Sequence, residues 1–544
     1  MKVLLVHPEI PVTYWGFQHS VALSGAKVTL PPLGLITVAA MLPPAWEVRL
    51  VDTNTAPLSD ADLRWADAVL VGGMLVQRAG IRTVLERARA QGRRTVVGGP
   101  APTALPDAFP QADHVFVGEA EGRVETLVGV LTDPGGFPRV LRPAAEDRPS
   151  LSATPVPRFD LLRIDDYGSM SVQYSRGCPY ACEFCDVTQL FGRKPRVKSP
   201  EQVLAELSAL WETGYRGSVF VVDDNFIGNR REVRKLLPRV RGWQEDHRWP
   251  YEFYTEATLN LALDPGLVAG MVESGFSTVF VGIETPSTEA LREARKLQNV
   301  GLDLGEAVAT LTRAGLEVMS GFILGFDSDD AGIFDRQLEF VSSLPIPLAM
   351  VGLLQALPGT ALWTRLQREG RLRRGSPGDP FTVPNFESRM GDALLLAGYA
   401  RVLAGLYSPE QYVDRCLAFL ETADDANRPG RVLRRQDVHT ALRAAVRLGL
   451  LGRWKRQFWR LIARALPHGL QGLGWAVAHA VLGEHLIRYT DEDVLPRLEG
   501  TLARVRAAQA CPAPQRGCPA QDDDRLTGAR VGPSLAEARS EGGL

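Results

Sequence analysis

Three cysteines fall within eight residues, Cys178-x3-Cys182-x2-Cys185, directly after a short strand pattern at 169–174. That loop constrains the chain more than any other feature. A tight turn carrying thiolates at spacings of four and three can wrap a compact iron–sulfur cluster and reach three of its irons. The remaining iron then keeps an open position for a substrate or cofactor. Two other readings compete with it. A zinc site needs a fourth ligand, and the nearest histidine, His247, stands 62 residues further on. Three thiols in a barrel mouth could also be plain core residues, but they would have no packing purpose there.

The six cysteines in 544 residues are too few for a disulfide framework. Cys416 reads as a core residue, and Cys511 and Cys518 as incidental thiols of a tail. The opening MKVLLVHPEI is a strand pattern broken by Pro8, with no cleavage site after it. The longest uncharged stretch, 465–483, is cut by Pro467, Gly469, Gly472 and Gly474, so a spanning helix is not expected. A cytoplasmic, reducing setting follows. The net charge of -2 excludes a global electrostatic grip on nucleic acid or membrane, so any such partner must meet a local patch.

The expected fold class is α/β with a helical end. Apolar runs at 2–6, 47–51, 68–71, 95–97 and 114–117 alternate with helical patterns, which predicts a parallel, doubly wound sheet over 1–133. Its strands end in glycine turns, Gly72-Gly73-Met74, Gly98-Gly99-Pro100 and Gly118-Glu119, where ligands of such folds sit. Residues 134–167 read as a linker, with six prolines between 134 and 157. Six further strand patterns alternate with helices over 168–372, predicting a partial (β/α)6 barrel with its site at the strand C-termini. A break at 373–384 precedes a helical domain over 385–509 and a disordered tail over 510–544.

The loop Ser175-Arg176-Gly177-Cys178-Pro179-Tyr180-Ala181-Cys182-Glu183-Phe184-Cys185 resembles that of the radical S-adenosylmethionine enzymes. The resemblance continues in barrel order. Asp223-Asp224-Asn225 stands where that superfamily holds the methionine amine, departing from the common Gly-Gly-Glu but still offering carboxylates. Glu256 ends the third barrel strand. Gly282-Ile283-Glu284 is similar to a ribose-contacting motif, and Gly321-Phe322-Ile323-Leu324-Gly325 to the segment along adenine. Leu357-Pro358-Gly359-Thr360 resembles a turn of cobalamin-linked members. The resemblance implies a [4Fe-4S] cluster on Cys178, Cys182 and Cys185. It implies S-adenosylmethionine contacts at Phe184, Asp223, Asp224, Asn225, Glu256, Glu284, Gly321 and Ile323. The implied reaction is reductive cleavage of that cofactor to a 5'-deoxyadenosyl radical, with an electron donor of flavodoxin or ferredoxin type.

The front module resembles a flavodoxin-like, Rossmann-like cobalamin-binding domain in layout and glycine turns. Expected cobalamin contacts are Pro32, Leu33, Gly34, Gly72, Gly73, Met74, Gln77, Gly98, Gly99, Pro100, Gly118 and Glu119. Many such modules ligate cobalt through Asp-x-His-x-x-Gly, but here the loop reads Val6-His7-Pro8-Glu9-Ile10. His7 is therefore expected to be a turn residue, with Met74–Gln77 meeting cobalt's lower face; a scaffold without cobalamin is the alternative.

Residues 431–464 carry ten basic residues and one acid, Asp437. The plain reading of 452–464 is a core-packed helix with a solvated basic face. The sharper one is peripheral contact with the inner membrane surface, through Trp454, Phe458, Trp459 and Ile462. No nucleic-acid module is recognisable. The whole layout, including SRGCPYACEFCD and VDDNFIGN, most resembles the subgroup containing the hopanoid C-2 methylases. Methyl transfer to an unactivated carbon of a lipid or natural product is the implied reaction. The alternatives are radical cyclisation, rearrangement or oxidation without methyl transfer, and a cluster-binding protein without turnover.

Overall fold

The computed structural model describes residues 1–143, 148–373, 379–424 and 435–510. The tail expected after residue 510, with Cys511 and Cys518, lies outside them.

The front sheet contains β1 (Lys2–His7), β2 (Glu47–Asp52), β3 (Ala68–Gly72), β4 (Arg94–Gly98), β5 (His114–Phe116) and β6 (Val140–Leu141). Their order is β2-β1-β3-β4-β5-β6, and every pair is parallel. Unbroken apolar strands suit this arrangement because both faces are covered. Leu4 and Val6 pack with Ile81 and Leu85 on one face, while Val3 and Leu5 pack with Ala39 and Leu42 on the other. β6 corrects the expected linker at 134–167. The prolines do not prevent pairing there, because an edge strand needs few of its own N–H donors: Val115 and Val117 donate to the carbonyls of Arg139 and Leu141.

The second sheet is β14-β13-β12-β11-β10-β7, again parallel throughout. It consists of β7 (Met170–Val172), β10 (Gly217–Val221), β11 (Tyr251–Ala257), β12 (Phe276–Glu284), β13 (Glu317–Leu324) and β14 (Ala349–Leu353). This is the expected six-stranded partial barrel, and a hairpin of β8 (Ser175–Arg176) and β9 (Arg196–Val197) frames the cysteine loop. Val279, Val281 and Ile283 face the surrounding helices. The alternate residues turn into the lumen, where Phe220 stacks on Tyr254 at 4.8 Å.

The C-terminal helices share one core with the barrel. Tyr399 donates to the Val351 carbonyl, and Glu317 at the base of β13 receives Trp475 Nε1 and pairs with His479 at 2.8 Å. The first chain segment also reaches these helices. Tyr14 bonds Thr490, and Trp15 meets the lumen-facing Phe280 edge-on at 5.0 Å. The aromatics expected on a membrane are divided. Trp454 and Phe458 are 5% and 2% exposed, because Trp454 Nε1 donates to Glu484 and Phe458 joins the core, and Ile462 is partly buried. Trp459 remains outside at 46%.

His485 ties the first segment to the long helix Gly469–Tyr489. Its Nδ1 accepts from His19 N at 3.3 Å, and its Nε2 faces Thr13 O at 2.8 Å, so the neutral ring is fully satisfied. Burial depresses it to about 4. A folded pKa below the unfolded one means the full contribution above about pH 6.5, lost as pH falls towards 4. Melting temperature should fall over that window, and the gap to His485→Gln, which cannot titrate, should narrow. A gap independent of pH would contradict this.

Candidate functional site

The cysteine loop is held in shape by carboxylates from the end of β10. Asp223 accepts Tyr174 N and Ser175 N, both at 2.8 Å, and Ser175 Oγ at 2.7 Å. Asp224 accepts Gly177 N at 3.0 Å through one oxygen. Gly177 has φ +95, and a Cβ there would stand 2.8 Å from Gly192 O, so only glycine lets the loop close. Asn225 Nδ2 points to Cys178 Sγ at 3.6 Å, and Gln298 Nε2 to Cys182 Sγ at 3.7 Å. Between the cysteines, buried Glu183 receives Arg365 Nε at 2.8 Å, and Arg365 also grips Asp327 at 2.8 Å. That network ties the loop to the helix following the Pro-Gly-Thr turn; the guanidinium neighbours hold Asp327 at about 2 against its burial.

These observations fit a polynuclear cluster. Burial pushes the Cys185 thiol up to about 12 and raises Cys178, so thiolates there call for a bound cation. N–H donors already aim at two of the three sulfurs.

Beside the loop, burial raises Asp224 to about 6 and Glu256 to about 8, each pushed further by neighbouring carboxylates. Asn225 Oδ1 is buried without a hydrogen-bond partner. Acceptors this poorly satisfied suit a cationic N–H donor such as an ammonium group. Asp223 does not join them. Both of its oxygens are committed to the loop backbone, which replaces the expected cofactor contact. Glu284 is likewise not a free strand-end carboxylate. It sits at a register shift with φ +71 and takes Lys296 Nζ at 2.6 Å, both side chains being buried. Gly282 makes room for that pair, since a Cβ would lie 2.6 Å from Lys296 Nζ. Burial alone would lower Lys296, but Glu284 and the thiols of Cys182 and Cys185 hold it above its ordinary value. Nothing local in the sequence marks Lys296, and Glu183 had only its place between two cysteines. Phe184 and Ile323 both pack against the cluster of Ala290, Phe326 and Leu354, and a Cβ on Gly321 would stand 3.0 Å from the Phe280 ring.

At the carboxyl edge of the front sheet the structure gathers Pro32, Leu33 and Gly34, the Gly72-Gly73-Met74 turn, Gly98-Gly99-Pro100 and Gly118. Gly99 has φ +98, a Cβ there would stand 3.4 Å from the Gly73 backbone, and nothing lies within 4 Å of a Cβ on Gly34. Met74 is 49% exposed there. His7 is the last residue of β1, and its Nδ1 faces Asp52 at 3.3 Å and its Nε2 faces Gln77 Nε2 at 3.0 Å, so both nitrogens are engaged. Two of the expected cobalamin contacts have side chains engaged by other residues of the protein. Gln77 is buried and spends its amide on His7, Pro8 O and Met74 N. Glu119 is taken by Arg176 and Arg196, each at 2.8 Å.

The two carboxylates should therefore separate on substitution. Asp223→Asn should loosen the loop and lower iron content after anaerobic reconstitution; charge-assisted bonds of this kind contribute about 1.5–3 kcal/mol each. Asp224→Asn should keep the iron but weaken S-adenosylmethionine binding at least roughly tenfold, about 1.4 kcal/mol. Equal iron loss in both would refute the distinction.

Comparison with known proteins agrees with this geometry. Residues 20–128 match the B12 binding domain, 172–336 the radical SAM superfamily and 360–495 a domain of unknown function, DUF4070. The chain is 37% identical over 501 residues to the hopanoid C-2 methylase of Rhodopseudomonas palustris (strain TIE-1), covering 90% of this chain and 94% of that one. It is 45% identical over 419 residues to an uncharacterized methyltransferase of Synechocystis sp. (strain ATCC 27184 / PCC 6803 / Kazusa), covering 76% and 78%. In fold it is similar to the radical S-adenosylmethionine methyltransferase TsrM of Kitasatospora setae, with TM-score 0.57, 16% identity and coverage of 85% and 99%. The cobalamin-dependent radical enzyme OxsB gives TM-score 0.57 at 15% identity, covering 93% and 83%. With a [4Fe-4S] cluster, S-adenosylmethionine and cobalamin as its cofactors, the chain belongs to the cobalamin-dependent radical S-adenosylmethionine enzymes related to the hopanoid C-2 methylases.

Proposed function

We propose that the enzyme transfers a methyl group from S-adenosylmethionine to an unactivated carbon of an apolar, lipid-like substrate. In this reading Cys178, Cys182 and Cys185 hold the cluster, and Asp224, Asn225 and Glu256 receive the methionine ammonium. Phe184, Gly321 and Ile323 lie along the adenosine, while Glu284 holds Lys296 in place. The edge formed by Pro32–Gly34, Gly72–Met74, Gly98–Pro100 and Gly118 holds cobalamin. When bound and reduced by a flavodoxin- or ferredoxin-type donor, the cofactors supply radical generation and methyl carriage. The chain's own part is to position the reactants and keep water out.

The lumen carries the substrate reading. Phe220, Tyr254 and Phe280 wall it, Trp15 closes on Phe280, and nothing lies within 4 Å of a Cβ on Gly352. Aromatic rings line the lumen away from the cluster end, so an extended hydrocarbon can be buried with one carbon presented there. With a deuterated methyl donor, a panel of isoprenoid lipids should yield a labelled product together with S-adenosylhomocysteine and 5'-deoxyadenosine. Radical product without S-adenosylhomocysteine would instead indicate rearrangement or oxidation.

Such a substrate resides in a bilayer, and no described helix is long and apolar enough to cross one. Peripheral contact fits the face formed around 442–466. Leu450 and Leu451 are 63% and 79% exposed, and Leu442, Val446, Trp459 and Leu466 are exposed nearby. Trp459 Nε1 donates to Gly449 O, which joins the helix Lys455–Ala465 to the preceding π-turn Ala445–Leu450. From Val438 to Gly483 there are seven Lys or Arg and no Asp or Glu. Arg447, Lys455 and Arg456 form no ion pair among the described residues, so they are available to anionic headgroups. Each contributes about 1 kcal/mol near such a surface. The protein should float with vesicles of equal phosphatidylglycerol and phosphatidylcholine but not with phosphatidylcholine alone. Leu450→Ser/Leu451→Ser should abolish flotation without shifting the melt. Unchanged flotation of that variant, or none of the wild type, would remove this contact.

A further inference from the structure

The residue before the cluster glycine reaches out of its own domain. Arg176 Nη1 bonds Glu119 at 2.8 Å and Glu121 at 3.0 Å, and Nη2 bonds Glu121 at 2.8 Å. Its Nε is fixed by Gln173 Oε1 at 2.8 Å. Arg196, on the other strand of the same hairpin, closes a second fork onto Glu119 at 2.8 and 3.0 Å. Thr154 adds a bond to Glu121 at 3.2 Å. The ion-pairing side chains are 13% exposed or less, so salt screens them little. Glu119 and Glu121 follow Gly118 at the carboxyl edge of the front sheet, where cobalamin belongs. Arg176 is two residues from Cys178, and its neighbour Gly177 is pinned by Asp224. A second contact runs parallel: the helix Pro100–Ala104, after the Gly99 turn, packs on the helix Val187–Leu190, after Cys185.

We propose that Arg176, forked onto Glu119 and Glu121, is a positioning residue that sets the cobalamin edge of the front domain relative to the cluster loop. Both domains could bind their own cofactor without it, since neither edge takes its shape from this fork. Ala101 N donates to Gly73 O between the two glycine turns of the front domain, and Asp223 and Asp224 cap the loop within the barrel. What the fork fixes is their mutual placement. A guanidinium suits the task because its planar donors lock two carboxylates at once, whereas an ammonium group binds as a point charge. The methyl group and the radical arise at different cofactors, so their alignment governs productive transfer. A misplacement of about 1 Å can cost about 100-fold in rate.

The test uses the full-length holoenzyme with Arg176→Lys and, separately, Glu121→Gln, both able to keep a hydrogen bond. Iron and cobalamin contents and 5'-deoxyadenosine formation should match wild type. The electron paramagnetic resonance signal of cob(II)alamin beside the reduced cluster should change shape, reporting altered placement without any turnover. Methylated product per 5'-deoxyadenosine should fall about 100-fold. This last arm rests on the methyl-transfer reading. If wild type forms no methyl product, that reading fails while the resonance arm still decides the inference. An unchanged resonance signal in both variants overturns it. So does loss of iron or cobalamin in step with activity, which would reduce Arg176 to holding one domain's own fold.

Discussion

A buried carboxylate holding backbone amides is the interaction on which the catalytic half depends. Asp223 is 1% exposed; burial raises it to about 7, and Tyr174 N, Ser175 N and Ser175 Oγ, all donating to it, counter that in part. Those donors are where β7 ends and the cysteine loop begins. The strand end of β10 thereby dictates the path of a loop more than forty residues earlier in the chain, as the 48-residue separation from Ser175 shows. Asp224 continues the device one residue on, spending one oxygen on Gly177 and keeping the other for the site. Neighbouring identical residues so divide into one that builds the loop and one left to meet a ligand.

Charge is handled differently at each boundary of the site. Glu284 and Lys296 neutralise each other under the loop, and Glu183 and Asp327 are matched by Arg365 and Arg371 behind it. Arg176 and Arg196 answer Glu119 and Glu121 at the front domain. Ion pairs taken out of water contribute little net stability when complete, but breaking one costs about 3–5 kcal/mol. Their value here is geometric, because each fixes one element against another around the same loop. Asp186, Asp223, Asp224 and Glu256 beside the loop form no ion pair among the described residues, and burial raises all four.

The sequence was most legible where function is written in contiguous residues. The cysteine spacing, the glycine turns and the order of barrel strands needed no coordinates. The linker was misjudged because proline counts against a central strand but not against an edge such as β6. Gln77, Glu119, Asp223 and Glu284 were expected from the sequence to contact the cofactors. Their partners decided what they do, and those partners are distant in sequence: Arg176 is 57 residues from Glu119. Lys296, 12 residues past Glu284, had no local pattern to betray it.

By itself the sequence determined that three thiolates, glycine-edged parallel strands and a front α/β module occur in one chain, because spacing and period are local properties. Only the tertiary structure decided which carboxylates are spent on backbone, which on arginine, and which are left facing the site. Burial makes each polar group find a partner, and which partner it finds depends on how helices and strands pack, not on what lies beside it in the chain.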